Sequence, residues 1–409
     1  MHSGISKSMS DMFTKAGQNN GIILDNANLY LKDFNVFQHI KNRCSLICEG
    51  QIEGYEFGYN EPGGGIYLRK LISRHETIIG HTEITPDNIV INGSGIIGVL
   101  NSIFFQWNKA DKKRVMIPTP VYSAIISCLT YHGLELGEIT TQRKNMFIPS
   151  YKDFKNAYTE NTIGVIISNP GNPVCRFLHA KDMIDIINFS IEKSIYIIID
   201  AVFEEAHCQN IHNIDKYFCI AKNYEKLIKI KSASKDTPHL SDFRIGWSLS
   251  KNTALNNALR YFNCMLNYSN SHFGEYLIGA DYEERINQHE FEGYDNFEKL
   301  HYKNTIINGM KILIEYLYEQ PSIVDVLEPE CGNIIYFRFS SKLKQILFVK
   351  NSMEMANWLL DNENILLSPA HFFYHNTDDL WLRITLSFNV GFMIKTLNKP
   401  IQRLNRLII

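Results

Sequence analysis

Short apolar runs alternate with amphipathic stretches through the first 280 or so residues. Ile89-Val90-Ile91, Arg114-Val115-Met116-Ile117, Gly164-Val165-Ile166-Ile167-Ser168, Ile195 to Asp200 and the Leu-Ile-Lys-Ile within Lys226 to Lys231 are mostly β-branched. Runs of this kind predict strands buried on both faces of a mostly parallel sheet. After Ile91 a Gly/Ser turn leads into a helix-like stretch, Ile96 to Trp107. Strands that alternate with helices indicate an α/β layered fold.

After about Tyr282 the pattern changes. A charged helical stretch runs from Glu298 to Tyr318, with Leu300, Ile307, Met310, Leu313 and Leu317 at helical spacing. A strand over Asn333 to Arg338, a helix near Met353 to Leu360, a strand over Leu382 to Leu386 and a last helix follow. The expected division is a large α/β domain with a mostly parallel sheet over residues 50–285. Residues 1–49 and 286–409 form a smaller α+β domain. No internal repeat or low-complexity linker interrupts the chain.

Composition narrows the classes of function. The 409 residues are 45% hydrophobic and 21% charged, with Phe 24 and Tyr 21, enough to bury a large core. A net charge of -2 gives no basic face for nucleic acid. The N-terminus lacks the apolar core of a signal peptide, and no apolar run approaches the roughly 18 residues that span a bilayer. The eight cysteines are scattered and read as reduced thiols. The expectation is a cytoplasmic protein without a membrane anchor. His207, Cys208 and His212 match no standard zinc spacing, so no metal site is expected.

Ligands in open α/β sheets bind beyond the carboxyl ends of the strands. Polar residues at those ends are Gly93-Ser94-Gly95, Asn169 to Asn172, Asp200, and Ser232 to Lys235. Each is ordinary alone: a strand-to-helix turn, a rigid proline turn, a helix cap and a surface lysine. Their order and spacing together are not.

That order resembles the class I/II aminotransferase superfamily, the fold type I enzymes that use pyridoxal 5′-phosphate (PLP). The matching segments are Asn169-Pro170-Gly171-Asn172-Pro173, Asp200-Ala201-Val202-Phe203, Ser232-Ala233-Ser234-Lys235 and Arg244-Ile245-Gly246-Trp247. Tyr59 with Gly64, Leu68 and Arg69 resembles the family's early stretch, and Leu382-Arg383-Ile384 its carboxylate-binding strand. The resemblance implies a three-layer αβα large domain. It makes Lys235 the residue that forms the internal aldimine and then the base for the substrate Cα. Asp200 pairs with the pyridinium nitrogen, Asn172 donates to the phenolic oxygen, and Tyr122 stacks on the ring. The phosphate takes the amides of Ser94 and Gly95, the Ser232 hydroxyl and the Arg244 guanidinium. Tyr59 reaches it from a neighbouring subunit, which implies a homodimer with shared sites. Arg383 holds the substrate α-carboxylate.

Two features depart from that pattern. Phe203 stands where the family has a tyrosine that donates to the phenolic oxygen, so the aldimine pKa is expected to rise. Pro173-Val174-Cys175-Arg176 replaces the usual Pro-Thr-Gly after the asparagine. Lys235-Asp236 resembles aminocyclopropane-carboxylate synthases and capreomycidine-synthase-like or arginine-oxidase-like members. The favoured expectation is an aminotransferase acting on an amino acid with a 2-oxo acid co-substrate; the alternative is a PLP-dependent lyase, cyclase or oxidase. His239, Asp242, Glu204 and His371-Phe372-Phe373-Tyr374 are candidates for reading the substrate side chain.

Overall fold

A computed structural model describes residues 2–25, 34–206, 216–236 and 239–409. His207, Cys208 and His212, weighed above as metal ligands, lie outside the described residues. Among the described residues no cluster of side chains has the makings of a metal site.

The apolar runs become a seven-stranded sheet. Its strands are β1 (Ile89–Asn92), β2 (Arg114–Thr119), β3 (Glu135–Thr140), β4 (Thr162–Ser168), β5 (Tyr196–Asp200), β6 (Leu227–Ser232) and β7 (Gly246–Ser250). They lie in the order β1-β7-β6-β5-β4-β2-β3. All neighbours are parallel except β7, which runs antiparallel to both β1 and β6. Val, Ile and Leu of β1, β4, β5 and β6 are almost wholly buried, as expected of strands covered on both faces. Helices cover those faces with apolar stripes. Ile96–Trp107 buries Val99, Leu100, Ile103, Phe104 and Trp107, and Ala180–Glu192 buries Met183, Ile186 and Ile187.

β3 and β7 were not anticipated. β3 is an edge strand that buries only Gly137 and Ile139, so it has no apolar run. β7 is fully buried, but its Gly-Trp-Ser-Leu-Ser sequence breaks the hydrophobic pattern with small polar residues.

The later part of the chain builds a four-stranded antiparallel sheet from β8 (Ile323–Leu327), β9 (Ile334–Phe339), β10 (Ser368–Pro369) and β11 (Leu380–Thr385), in the order β10-β11-β9-β8. The N-terminal residues join it. Ile22–Ile23 pairs in parallel with Ile365–Leu366, and the Thr385 amide donates to the Leu24 carbonyl. Helix Phe297–Tyr318 turns Tyr302, Ile306, Met310, Leu313 and Leu317 inward. Leu300, expected on that face, is 44% exposed one turn too early.

Register aligns one edge of the large sheet. Ser168 pairs with Asp200 across β4 and β5, and Gly246 faces both Asn92 and Ser232. Because β7 is antiparallel, its first residue lies at the edge where β1, β5 and β6 end. Arg244 is thereby delivered to the same edge as Asp200 and Ser232.

Candidate active site

A cavity of about 310 Å³ opens at that edge. Lys235, Asp200, Asn172, Ser232, Arg244, Tyr122 and Arg383 line it, together with Asp25 and with Met9 and Phe13 of helix His2–Gln18. Residues far apart in sequence converge here because strand ends collect at one edge of a parallel sheet.

One end of the cavity is a small donor cradle. Gly95, with φ +62°, begins helix Ile96–Trp107, and a Cβ on it would lie 3.3 Å from both the Arg244 Nη2 and the Ser232 Oγ. Arg244 Nη1 donates to the Ser234 Oγ (3.1 Å), and the Ser232 hydroxyl donates to the same oxygen (3.1 Å). The Gly95 amide was expected to face an anion, but it donates to the Arg244 carbonyl at 2.7 Å. Gly95 therefore contributes its missing side chain. Ile96 and Ile97 open the helix and line the cavity, and as first-turn residues their amides have no partner within the helix. Ser94 is not among the lining residues and supplies the turn, with φ +63°.

The middle of the cavity is set by Asp200. Its Oδ2 accepts from the Ser168 hydroxyl at 2.9 Å, and its Oδ1 accepts from the Val202 amide at 3.3 Å. Burial pushes its pKa up to about 6, and those two donors oppose the shift. A carboxylate so placed gains most from a cationic partner. Asn172 accepts from the Arg383 Nη1 through Oδ1 (2.8 Å), which leaves its Nδ2 as the donor available to a ligand. Phe203 also lines the cavity and offers no hydroxyl. Its ring packs beside Gly332 and Cys175, since a Cβ on Gly332 would lie 3.1 Å from the Phe203 Cδ1 and 3.3 Å from the Cys175 Sγ.

Lys235 lies in the single turn of helix, Ala233–Asp236, that follows β6. Burial, together with the nearby Arg383 and Arg244 charges, lowers its pKa to about 7. A substantial neutral fraction at physiological pH suits a nucleophilic or basic amine.

Arg383 departs from expectation. Its Nε and Nη2 donate to the two oxygens of Asp25 at 2.8 and 2.9 Å, and Phe373 stacks 4.6 Å from its guanidinium carbon. Thr385 also donates to Asp25, at 2.7 Å. The edge of Arg383 reserved above for a substrate carboxylate is occupied by the protein's own.

Other candidates fall elsewhere. Tyr59 is 85% exposed and meets Tyr268 edge to face, outside the cavity. Glu204 is buried in an ion pair with Lys229 (2.5 Å). His239 packs on Phe37 and Tyr302, Asp242 is exposed, and His371 bonds Ser352 at 3.0 Å. None of these four lines the cavity. Asp25, Met9, Phe13 and Ser168 were not foreseen. A lone aspartate after Ile22-Ile23-Leu24 carries no motif, and the N-terminal helix has nothing in its sequence that aims it at a site.

The sheet order and this cavity define an α/β fold with a lysine, a carboxylate and an anion cradle at the strand ends. The sequence profile of aminotransferase class I and II matches residues 53–390, and the chain belongs to that family. An aspartate aminotransferase of Pyrococcus abyssi is 26% identical over 224 residues, 53% of this chain and 54% of that protein. An aromatic-amino-acid aminotransferase of Thermococcus litoralis is 25% identical over 154 residues, 37% of this chain and 38% of that protein. The chain thus aligns with about half, or less, of the length of these curated relatives. The crystal structure of a Thermotoga maritima aspartate aminotransferase superposes with TM-score 0.81 over 97% of each chain at 17% identity. That of Rhizobium meliloti gives 0.80 over 97% of this chain and 96% of that one, at 16% identity. The shared fold is that of fold type I.

PLP is the cofactor of this family, and the cavity fits it. The Gly95–Ser232–Arg244 cradle suits a phosphate dianion, and the Asp200 carboxylate, buried with no cation bonded to it among the described residues, suits a pyridinium.

Proposed function

We propose that the chain is a PLP-dependent aminotransferase that takes the amino group from a primary amine substrate and passes it to a 2-oxo acid. The observation that carries this reading is the convergence of Lys235, Asp200, Asn172, Ser232 and Arg244 on one cavity. Bound PLP supplies an electron sink for the bonds at the substrate's amine-bearing carbon. Arg244, Ser232 and the Ile96 and Ile97 amides hold the phosphate. Asp200 would keep a proton on the ring nitrogen, and Tyr122 would pack against the ring. Lys235, freed by the incoming amine, would take the proton from the amine-bearing carbon as base and give it back as acid. Water provides the carbonyl oxygen of the product. A 2-oxo acid would accept the amino group in the second half of the transfer, with Lys235 again as base and acid.

The homodimer belongs to the same reading. Tyr59, Tyr261, Met265, Leu266 and Tyr268 expose a band of apolar surface beside the loop that carries Tyr59. A second copy covering it would bring Tyr59 to the partner's phosphate cradle. The large and small domains are divided at residues 50 and 285. A cytoplasmic location accords with the fact that no described helix is long and apolar enough to cross a membrane.

The test is a panel of amines given to the PLP-loaded protein, followed by absorbance and product analysis. Conversion to pyridoxamine phosphate with release of an oxo product, restored by a 2-oxo acid and abolished in Lys235→Ala, is the expected result. Ammonia release or oxygen uptake without pyridoxamine phosphate would replace this reading with the lyase, cyclase or oxidase, to which Phe203 gives some support.

A further inference from the structure

The cavity holds three basic side chains among its described lining residues: Lys235, Arg244 and Arg383. On the proposed function, on which this inference rests, Lys235 carries the cofactor and Arg244 its phosphate. Only Arg383 then remains to receive a carboxylate next to the reacting carbon. That guanidinium is already matched. Nε and Nη2 hold both oxygens of Asp25, and Nη1 holds the Asn172 Oδ1. Asp25 is itself fixed by the Thr385 hydroxyl, and the two partners are 1% and 4% exposed. A bidentate fork of this kind is the strongest arrangement a guanidinium makes with a carboxylate.

The remaining N–H groups of Arg383, one on each Nη, could still reach a ligand. A second carboxylate there would share the one guanidinium with Asp25, two anions on one cation where both Asp25 and Arg383 are buried. Like charges this close resist joint ionisation. A neutral group meets the opposite situation. A hydroxyl or amide can donate to Asp25 and accept from Arg383, and a bare C–H or alkyl group has no charge to reconcile. Met9 and Phe13 give the same cavity an apolar wall.

We propose that Asp25 is a specificity-determining residue that weakens the hold of Arg383 on an α-carboxylate, that of the 2-oxo acid acceptor included, so that an amine donor with a neutral neighbour is favoured over an α-amino acid. The substrates it favours are primary amines with an apolar side chain and a neutral neighbour to the reacting carbon, such as an amino alcohol or an amino acid amide. Amino transfer from the amino alcohol R–CH(NH2)–CH2OH then yields the ketone R–CO–CH2OH. The hydrogen leaves to Lys235, the nitrogen passes to the cofactor, and water supplies the oxygen.

The experiment titrates the PLP-loaded protein with phenylalanine, phenylalaninol and phenylalaninamide and reads binding from the cofactor absorbance, independently of turnover. The wild type should bind the alcohol or the amide at least tenfold more tightly than the acid. Asp25→Asn, which removes the charge, should shift that ratio at least tenfold toward the acid. Tighter binding of phenylalanine by the wild type overturns the proposal without any variant being needed, and so does an unchanged ratio in a folded Asp25→Asn protein. Binding in the expected order without pyridoxamine phosphate formation would sink the aminotransferase reading and leave the role of Asp25 standing. Failure to bind any of the three would sink both.

Discussion

The Lys235 Nζ lies 5.9 Å from the centre of the Phe203 ring, within the same cavity wall. A phenyl ring can shield the amine but cannot donate to the oxygen of the cofactor ring. On the proposed function Asn172 would carry that task alone and through Nδ2, because its Oδ1 is held by Arg383. Less stabilisation of the phenolate raises the pH at which the holoprotein's cofactor absorbance changes. Phe203→Tyr should lower that transition by about one pH unit. A spectrophotometric titration of both proteins checks it, and coincident curves would discard the assignment of Phe203 to this role.

Gly246 gives a second test, of the phosphate cradle. A Cβ at Gly246 would fall 2.4 Å from the Gly95 carbonyl carbon and 2.6 Å from its oxygen, so Ala cannot enter without moving the Gly95 peptide. That peptide's neighbours are the Arg244 and Ser232 side chains. Overpacking of this sort costs about 1–3 kcal/mol. Gly246→Ala should weaken PLP binding by about tenfold or more. Equilibrium titration of the apoprotein with PLP measures it, with circular dichroism showing that the sheet persists.

A third prediction concerns stability. Lys229 lies on fully buried β6, 1% exposed, and its Nζ contacts Glu76 at 3.0 Å and Glu204 at 2.5 Å. Burial raises the pKa of Glu76, and the Lys229 charge opposes that rise. Replacing one partner strands the others in a site with little water. Lys229→Met should destabilise the protein by about 3–5 kcal/mol. The urea midpoint reads this directly. A triple change that also makes Glu76 and Glu204 apolar should recover much of the loss.

These residues also show what could be read in the sequence. The strands of the large sheet were legible where they are continuous β-branched runs, and Asp200, Ser232 and Lys235 were legible because they terminate such runs. Lys229 and Lys231 read as ordinary strand residues; that both are buried among carboxylates depends on Glu76 and Glu204 arriving from other elements. The Gly95 amide was assigned to an anion from its place at a helix start, but its bond to the Arg244 carbonyl is a contact between segments about 150 residues apart. Asp25 is the extreme case. Its partner is 358 positions away, and nothing local marks it.

The last prediction follows from the lowered pKa of Lys235. In the folded apoprotein the amine titrates near 7, against its ordinary 10.5. Only the neutral amine attacks the PLP aldehyde, so the rate of cofactor loading should rise from about pH 6 to about pH 8 and then level off. An amine with its ordinary pKa would keep accelerating toward pH 10. The same shift has a consequence for stability. Between about pH 7 and 10.5 the unfolded chain binds more protons at this site than the folded one, so stability from this group rises with pH across that window. Below pH 7 both states are protonated, and the buried charge is a constant penalty. Lys235→Met removes the penalty, so its stability advantage over the wild-type apoprotein should be largest below pH 7 and shrink toward pH 10. Stopped-flow absorbance at a series of pH values tests the first expectation, and urea unfolding of both apoproteins tests the second. A loading rate still climbing above pH 9, with a stability difference that ignores pH, would show that Lys235 is solvated like a surface lysine.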